Sequence, residues 1–118
     1  MLSACGGAQD VAVADTAEAF YRALGEGDGT AACALLTPAT RSELEQSSGK
    51  ACDQAILEEL SDAPGDEHEV VEVFETMAQV RWHDETVFLT RMPEGWRVLA
   101  AGCRPRAGDP YDCVVKGA

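Results

Sequence analysis

The sequence predicts an α+β domain in which helices come first and a meander of antiparallel strands follows. Three observations predict it. Apolar residues recur at helical spacing as far as Leu60, the spacing shortens to about two residues after the segment 61–66, and the later apolar runs are joined by short polar connections. The chain has 118 residues, enough for one hydrophobic core and too few for two. With 46% hydrophobic and 25% charged residues it has the composition of a folded globule.

The first helix is expected to begin at Asp15 or Thr16, either of which can cap it, and Ala17, Phe20, Tyr21 and Leu24 make its apolar stripe. Gly25 ends it. Gly27, Asp28 and Gly29 form a turn, and Asp28 or Thr30 caps a short second helix carrying Ala31, Cys33, Ala34, Leu35 and Leu36. Pro38 suits the start of a third helix over 39–46, with Leu44 inward and Ser47, Ser48 and Gly49 as its stop. A fourth helix spans 52–60, burying Ala55, Ile56 and Leu60, and 61–66 is a linker. Strands follow at 69–74, 77–82, 86–92, 96–101 and 111–116, with hairpin turns at 83–85 and 93–95. Alternation puts Ala78, Val80 and Trp82 on one face and Met77, Gln79 and Arg81 on the other. In the same way Val87 and Leu89 oppose Phe88 and Thr90, and Trp96, Val98 and Ala100 oppose Arg97, Leu99 and Ala101. No internal repeat is present.

Charge and cysteine usage bound the function. Against 21 Asp and Glu stand 9 Lys and Arg, a net charge of −12, and the cations are scattered, so a nucleic-acid partner is excluded and attraction to anionic lipid is weak. No run approaches the roughly 18 apolar residues of a membrane-spanning helix. The five cysteines divide into four plus one. Cys33, Cys52, Cys103 and Cys113 lack CxxC spacing, and with only His68 and His83 beside them a zinc site is a poor reading. Two disulfides are expected, the alternative being four buried thiols. Three pairings are open, and the local one, Cys33 with Cys52 and Cys103 with Cys113, is the simplest, each closure worth roughly 3 kcal/mol through the unfolded state.

The fifth cysteine lies in Leu2-Ser3-Ala4-Cys5, which resembles the lipobox of bacterial lipoproteins. The resemblance implies lipidation of Cys5 and an exported protein, anchored at the membrane by lipid alone or secreted. Only Met1 stands before the motif, so a basic and apolar leader upstream of residue 1 is expected. The small, weakly polar residues 6–14 read as a flexible tether, leaving 1–14 as lipobox remnant and tether and 15–118 as the folded domain.

Residues Ala19-Phe20-Tyr21-Arg22-Ala23-Leu24-Gly25-Glu26-Gly27-Asp28, followed by Ala31-Ala32 and Leu35-Leu36 before Pro38, resemble the opening of the nuclear-transport-factor-2-like superfamily, with its SnoaL-like and ketosteroid-isomerase-like members. The resemblance covers about 15–116. It implies helices on a strongly curved antiparallel sheet, a cystatin-like cone with a pocket inside. A closer resemblance, to small actinobacterial secreted lipoproteins of that superfamily, implies no particular reaction. Asp28 is read as structural, its carboxylate accepting from the free N–H groups that open helix two.

Enzymes of the superfamily pair a carboxylate base with a tyrosine donor on the first helix. Here the tyrosine position falls on Phe20, and Tyr21 is about 100° away around the helix. The last three strands carry no carboxylate except Asp112, read as a surface residue, and Glu72 reads as an edge or solvent-facing one. There is no Gly-x-Ser-x-Gly, no phosphate-binding glycine loop and no His-Glu-x-x-His. His68 and His83 read as surface histidines. Nine acids without a base over 51–80 lack calcium-loop spacing and read as a solvated face. No catalytic residue, metal or cofactor is therefore assigned. Phe20, Tyr21, Trp82, Phe88 and Trp96 are the expected pocket or core lining. The expected function is a non-catalytic envelope module binding a small hydrophobic ligand or an envelope protein. The alternative is a SnoaL-like isomerase, cyclase or hydrolase acting on a small hydrophobic substrate. Dimerisation through the open sheet face, common in the superfamily, is left open.

Overall fold

The computed structural model describes residues 4–60, 70–82, 85–106 and 109–116. Among them the helices α1 (Ala4–Gly25), α2 (Gly29–Ala34), α3 (Pro38–Ser48) and α4 (Cys52–Glu59) precede the strands β1 (Val70–Phe74), β2 (Met77–Arg81), β3 (Thr86–Met92), β4 (Gly95–Arg106) and β5 (Asp109–Val115). The strands pair antiparallel in chain order, so the sheet is a five-stranded meander, and the protein is α+β as its periodicity predicts.

The core lies between the helices and one face of this sheet. Ala78 and Val80 of β2 stand opposite Leu89 and Val87 of β3, and Leu89 stands opposite Val98 of β4. All five are buried together with Val13, Ala17, Phe20 and Leu24 of α1 and Ile56 of α4. Burying a side chain the size of Phe20, Ile56 or Leu89 contributes roughly 2 kcal/mol, and each of these three is fully enclosed.

Helix α1 starts eleven residues before its expected cap at Asp15. Nothing between Ala8 and Leu24 breaks a helix, and Val13 extends the apolar stripe back by one turn, 0% exposed. Thr16 does not cap. Its hydroxyl donates to the Ala12 carbonyl at 3.0 Å, a backward bond made from inside a helix. Residues 6–14, expected to be a tether, are thus helical. The expected caps of α2 and α3 are in place. Asp28 accepts from the Ala31 N–H at 3.0 Å, Pro38 opens α3, and Gly49 closes it with φ +73°. The linker 61–66 lies outside the described residues.

Strand β4 runs five residues past its expected end at Ala101. It tolerates those residues through register shifts. The pairs Phe88–Ala100 and Leu89–Val98 leave Leu99 as an extra residue, and a second shift lies between Thr86–Cys103 and Phe88–Ala100. Such bulges bend a strand and increase its twist. The second one contains Gly102 at φ +67°, where a Cβ would come within 2.9 Å of the Leu60 Cδ2. The bulges also break the expected alternation, since Ala100 and Ala101 are both buried.

Candidate functional site

Two groupings of polar side chains stand out against this frame. The first sits where α1 faces the β2–β3 connection. Alternation along β2 turns Trp82 toward α1, and the stripe on α1 presents Phe20 and Tyr21 to it. The rings meet edge to face, Phe20 to Tyr21 at 5.1 Å between centroids and Tyr21 to Trp82 at 5.4 Å. The Trp82 backbone N–H donates to the Glu85 carbonyl at 2.8 Å. This places the Glu85 carboxylate against the Tyr21 hydroxyl, which donates to it at 2.5 Å. Burial first, and the adjacent Glu85 charge second, hold the Tyr21 phenol far above its ordinary ionisation range, with the Gly102 backbone working weakly the other way. The phenol is therefore a neutral donor committed to a carboxylate.

The second grouping is a groove of about 320 Å³ beside the edge of β4. Its frame is rigid for identifiable reasons. The Val98 N–H donates to the Leu35 carbonyl at 2.7 Å and the Thr37 N–H to the Val98 carbonyl at 3.0 Å, so residues 35–37 pair with the first half of β4 as a parallel bridge. Thr37 then caps α3, accepting from the Thr40 N–H at 3.0 Å. The Thr40 hydroxyl donates to the Leu99 carbonyl at 2.8 Å and accepts from Thr37 at 2.7 Å. Both threonines are buried, and these bonds satisfy them. Leu36 and Pro38 give the groove an apolar side, while Arg41, Glu45, Glu94 and Arg97 give it four charges. One Glu45 oxygen accepts from the Cys52 N–H at 3.0 Å, and Arg97 Nη1 donates to the Trp96 carbonyl at 2.9 Å.

The expected disulfides are formed, with local pairing. Cys33–Cys52 ties α2 to the start of α4, and Cys103–Cys113 joins directly opposed residues of β4 and β5. The backbone of Cys5 belongs to α1, while its side chain lies outside those described.

The expected aromatic lining divides. Phe20, Tyr21 and Trp82 come together. Trp96 is buried in the same core and makes its own contact, its indole N–H donating to the Gln9 side chain at 3.0 Å. Phe88 stands opposite Gln79, on the sheet face away from Val87 and Leu89, so it is not part of that lining. Glu72 is half-exposed, accepting from Gln79 at 2.5 Å and facing Arg81 at 3.6 Å. Asp112 is exposed and paired in register with Arg104. His68, His83 and the acids Asp62, Asp66, Glu67 and Glu69 lie outside the described residues. Among the described residues no group of three or more His, Cys, Asp or Glu side chains comes together as a metal site, and no helix is long and apolar enough to cross a membrane.

No site role is expected from the sequence for Glu85, Arg41, Arg97 or the two threonines. Glu85 reads as a turn residue, and no local pattern marks its tyrosine partner 64 positions away. The dipeptide Thr37-Pro38 is a helix-start signal and does point to the cap. Comparison with family models, with curated proteins and with solved structures finds no match for this chain.

Proposed function

We propose that the chain is an exported domain of the nuclear-transport-factor-2-like superfamily, anchored through lipidated Cys5, that binds a ligand or protein at the cell envelope without catalysing a reaction. The observation that carries this reading is the pair of disulfides. Cross-links of this kind persist in oxidising compartments and are rare in the cytosol, and here they use four of the five cysteines. The bent β4, with helices against one face of the sheet, agrees with the cone that the sequence resemblance implies.

The Tyr21–Glu85 arrangement favours binding over catalysis. A SnoaL-like reaction of the kind considered above needs a phenol that gives its hydrogen bond to the substrate and a carboxylate that takes a proton from it. In this protein the phenol is buried against Phe20 and Trp82 and gives its hydrogen bond to the Glu85 carboxylate.

The test is expression of the gene in its own host with labelled palmitate, followed by fractionation. Label should enter the wild-type chain in the envelope fraction and be lost in Cys5→Ser. A chain found in the cytosol without label and with four free thiols would overturn the reading.

A further inference from the structure

The groove beside β4 carries an inference about what is bound. We propose that it is a binding site for a singly charged carboxylate attached to a short aliphatic group. The assignment deepens the binding reading above and rests on it.

The protein carries −12, a field that repels anions from most of its surface. Yet two of its nine cationic side chains, Arg41 and Arg97, line one groove. The ion pairs among the described residues are Lys50–Glu58 and Arg81–Glu72, so neither groove arginine is consumed by one. Arg97 is also oriented in advance. Its Nη1 is held by the Trp96 carbonyl, and Gly95 has no side chain to crowd it, since even a Cβ there would lie 3.6 Å from that nitrogen. A guanidinium fixed through one N–H keeps its remaining donors for a carboxylate, with less ordering entropy to lose on binding.

The acids select among anions. Glu45 is turned to the start of α4 through its bond to the Cys52 N–H, and Glu94 stands exposed in the β3–β4 turn. With two guanidinium groups against two carboxylates the groove is near neutral. It can accept one negative charge, whereas a doubly charged phosphate meets both glutamates and the field of the whole protein. Apart from Ser42 the remaining wall is apolar, from Leu36, Pro38 and Ala34 over the buried Cys33–Cys52 link, and a volume of about 320 Å³ suits a small molecule or the end of a chain.

The test is a titration of the intact disulfide-bonded protein followed by amide chemical shifts, with sodium hexanoate as probe and hexanamide and inorganic phosphate as comparisons. Hexanoate should shift amides of residues 34–45 and 94–97 with a dissociation constant of about millimolar order, as its size allows. Hexanamide should bind at least about tenfold more weakly, and phosphate should not compete. Arg41→Gln and Arg97→Gln should each weaken hexanoate about tenfold, while Arg91→Gln, outside the groove, should not; the spectra themselves report whether each variant is folded. Equal binding of hexanamide, displacement by phosphate, shifts away from the groove, or unchanged affinity in both groove variants would overturn the assignment. The export reading fails by other readouts, palmitate label and thiol content, so the two failures are distinguishable.

Discussion

The Tyr21 hydroxyl donates to the Glu85 carboxylate at 2.5 Å and so ties the first helix to the connection between β2 and β3, 64 residues later in the chain. Tyr21 is 3% exposed. A buried hydrogen bond to a charged acceptor contributes more than a neutral one, and removing the donor leaves the acceptor without the bond it was folded to make. The ring contacts with Phe20 and Trp82 supply the low-dielectric surroundings that strengthen it.

This pair predicts a specific alkaline limb of stability. The folded state raises the Tyr21 pKa above its ordinary value of about 10, because burial and the Glu85 charge both oppose phenolate. A group raised in this way gives its full contribution below the unfolded value and loses it as pH climbs above that value toward the folded one. Urea unfolding free energy should therefore fall from about pH 10 upward, with this one group contributing on the order of 1 kcal/mol per pH unit. Tyr21→Phe should start lower at neutral pH by about 1–3 kcal/mol and should lack that share of the alkaline slope. Parallel slopes in the two proteins would remove Tyr21 from the account.

A close backbone approach makes a second prediction. Gly29 opens α2 directly against the Asp53 backbone of α4, and a Cβ built at Gly29 would lie 2.1 Å from the Asp53 carbonyl oxygen. No rotamer change relieves contact with a carbonyl, so the helices must separate, and the nearby Cys33–Cys52 link resists that. Gly29→Ala should cost about 2 kcal/mol or more in urea unfolding. Gly25→Ala is the comparison. Its Cβ would meet nothing within 4 Å, so it should be neutral or stabilising by roughly half a kcal/mol.

The contrast between these positions marks how much is legible in the chain. Periodicity located the helices and strands because burying one face is a local requirement, visible in the spacing of Ala17, Phe20 and Leu24 or of Ala78 and Val80. The cap at Asp28 and the helix start at Pro38 are local as well. What spacing does not contain is the meeting of distant backbones. The bulges at Leu99 and Gly102 depend on what β3 and β5 offer opposite, and they extend β4 and bury Ala101 against its alternation. The early start of α1 depends on a long-range contact too, since Gln9 meets the Trp96 indole 87 residues away. The candidate site was legible in the same proportion. Phe20, Tyr21 and Trp82 belong to apolar stripes, whereas Glu85 lies in the β2–β3 connection and Arg41 and Arg97 are charged residues on α3 and β4, which an apolar period does not select.

The cross-links give the last prediction, because their placement assigns them different parts of the fold. Cys33–Cys52 closes a separation of 19 residues between two short helices, and α2 spans only 6 residues, too few to hold together alone. Cys103–Cys113 closes 10 residues between β4 and β5, which the strand ladder also holds. Loop entropy alone makes the two nearly equal, about 3 kcal/mol each. The packing makes them unequal in what they protect. Removal of the first, as Cys33→Ser with Cys52→Ser, should lower unfolding free energy by about 3 kcal/mol and speed amide exchange across α2, α4 and residues 35–45. Removal of the second, as Cys103→Ser with Cys113→Ser, should cost a similar amount while faster exchange stays confined to β5 and the second half of β4. Exchange that rises uniformly over the chain in both variants would mean that neither link has a local role, and that both act only through the unfolded state.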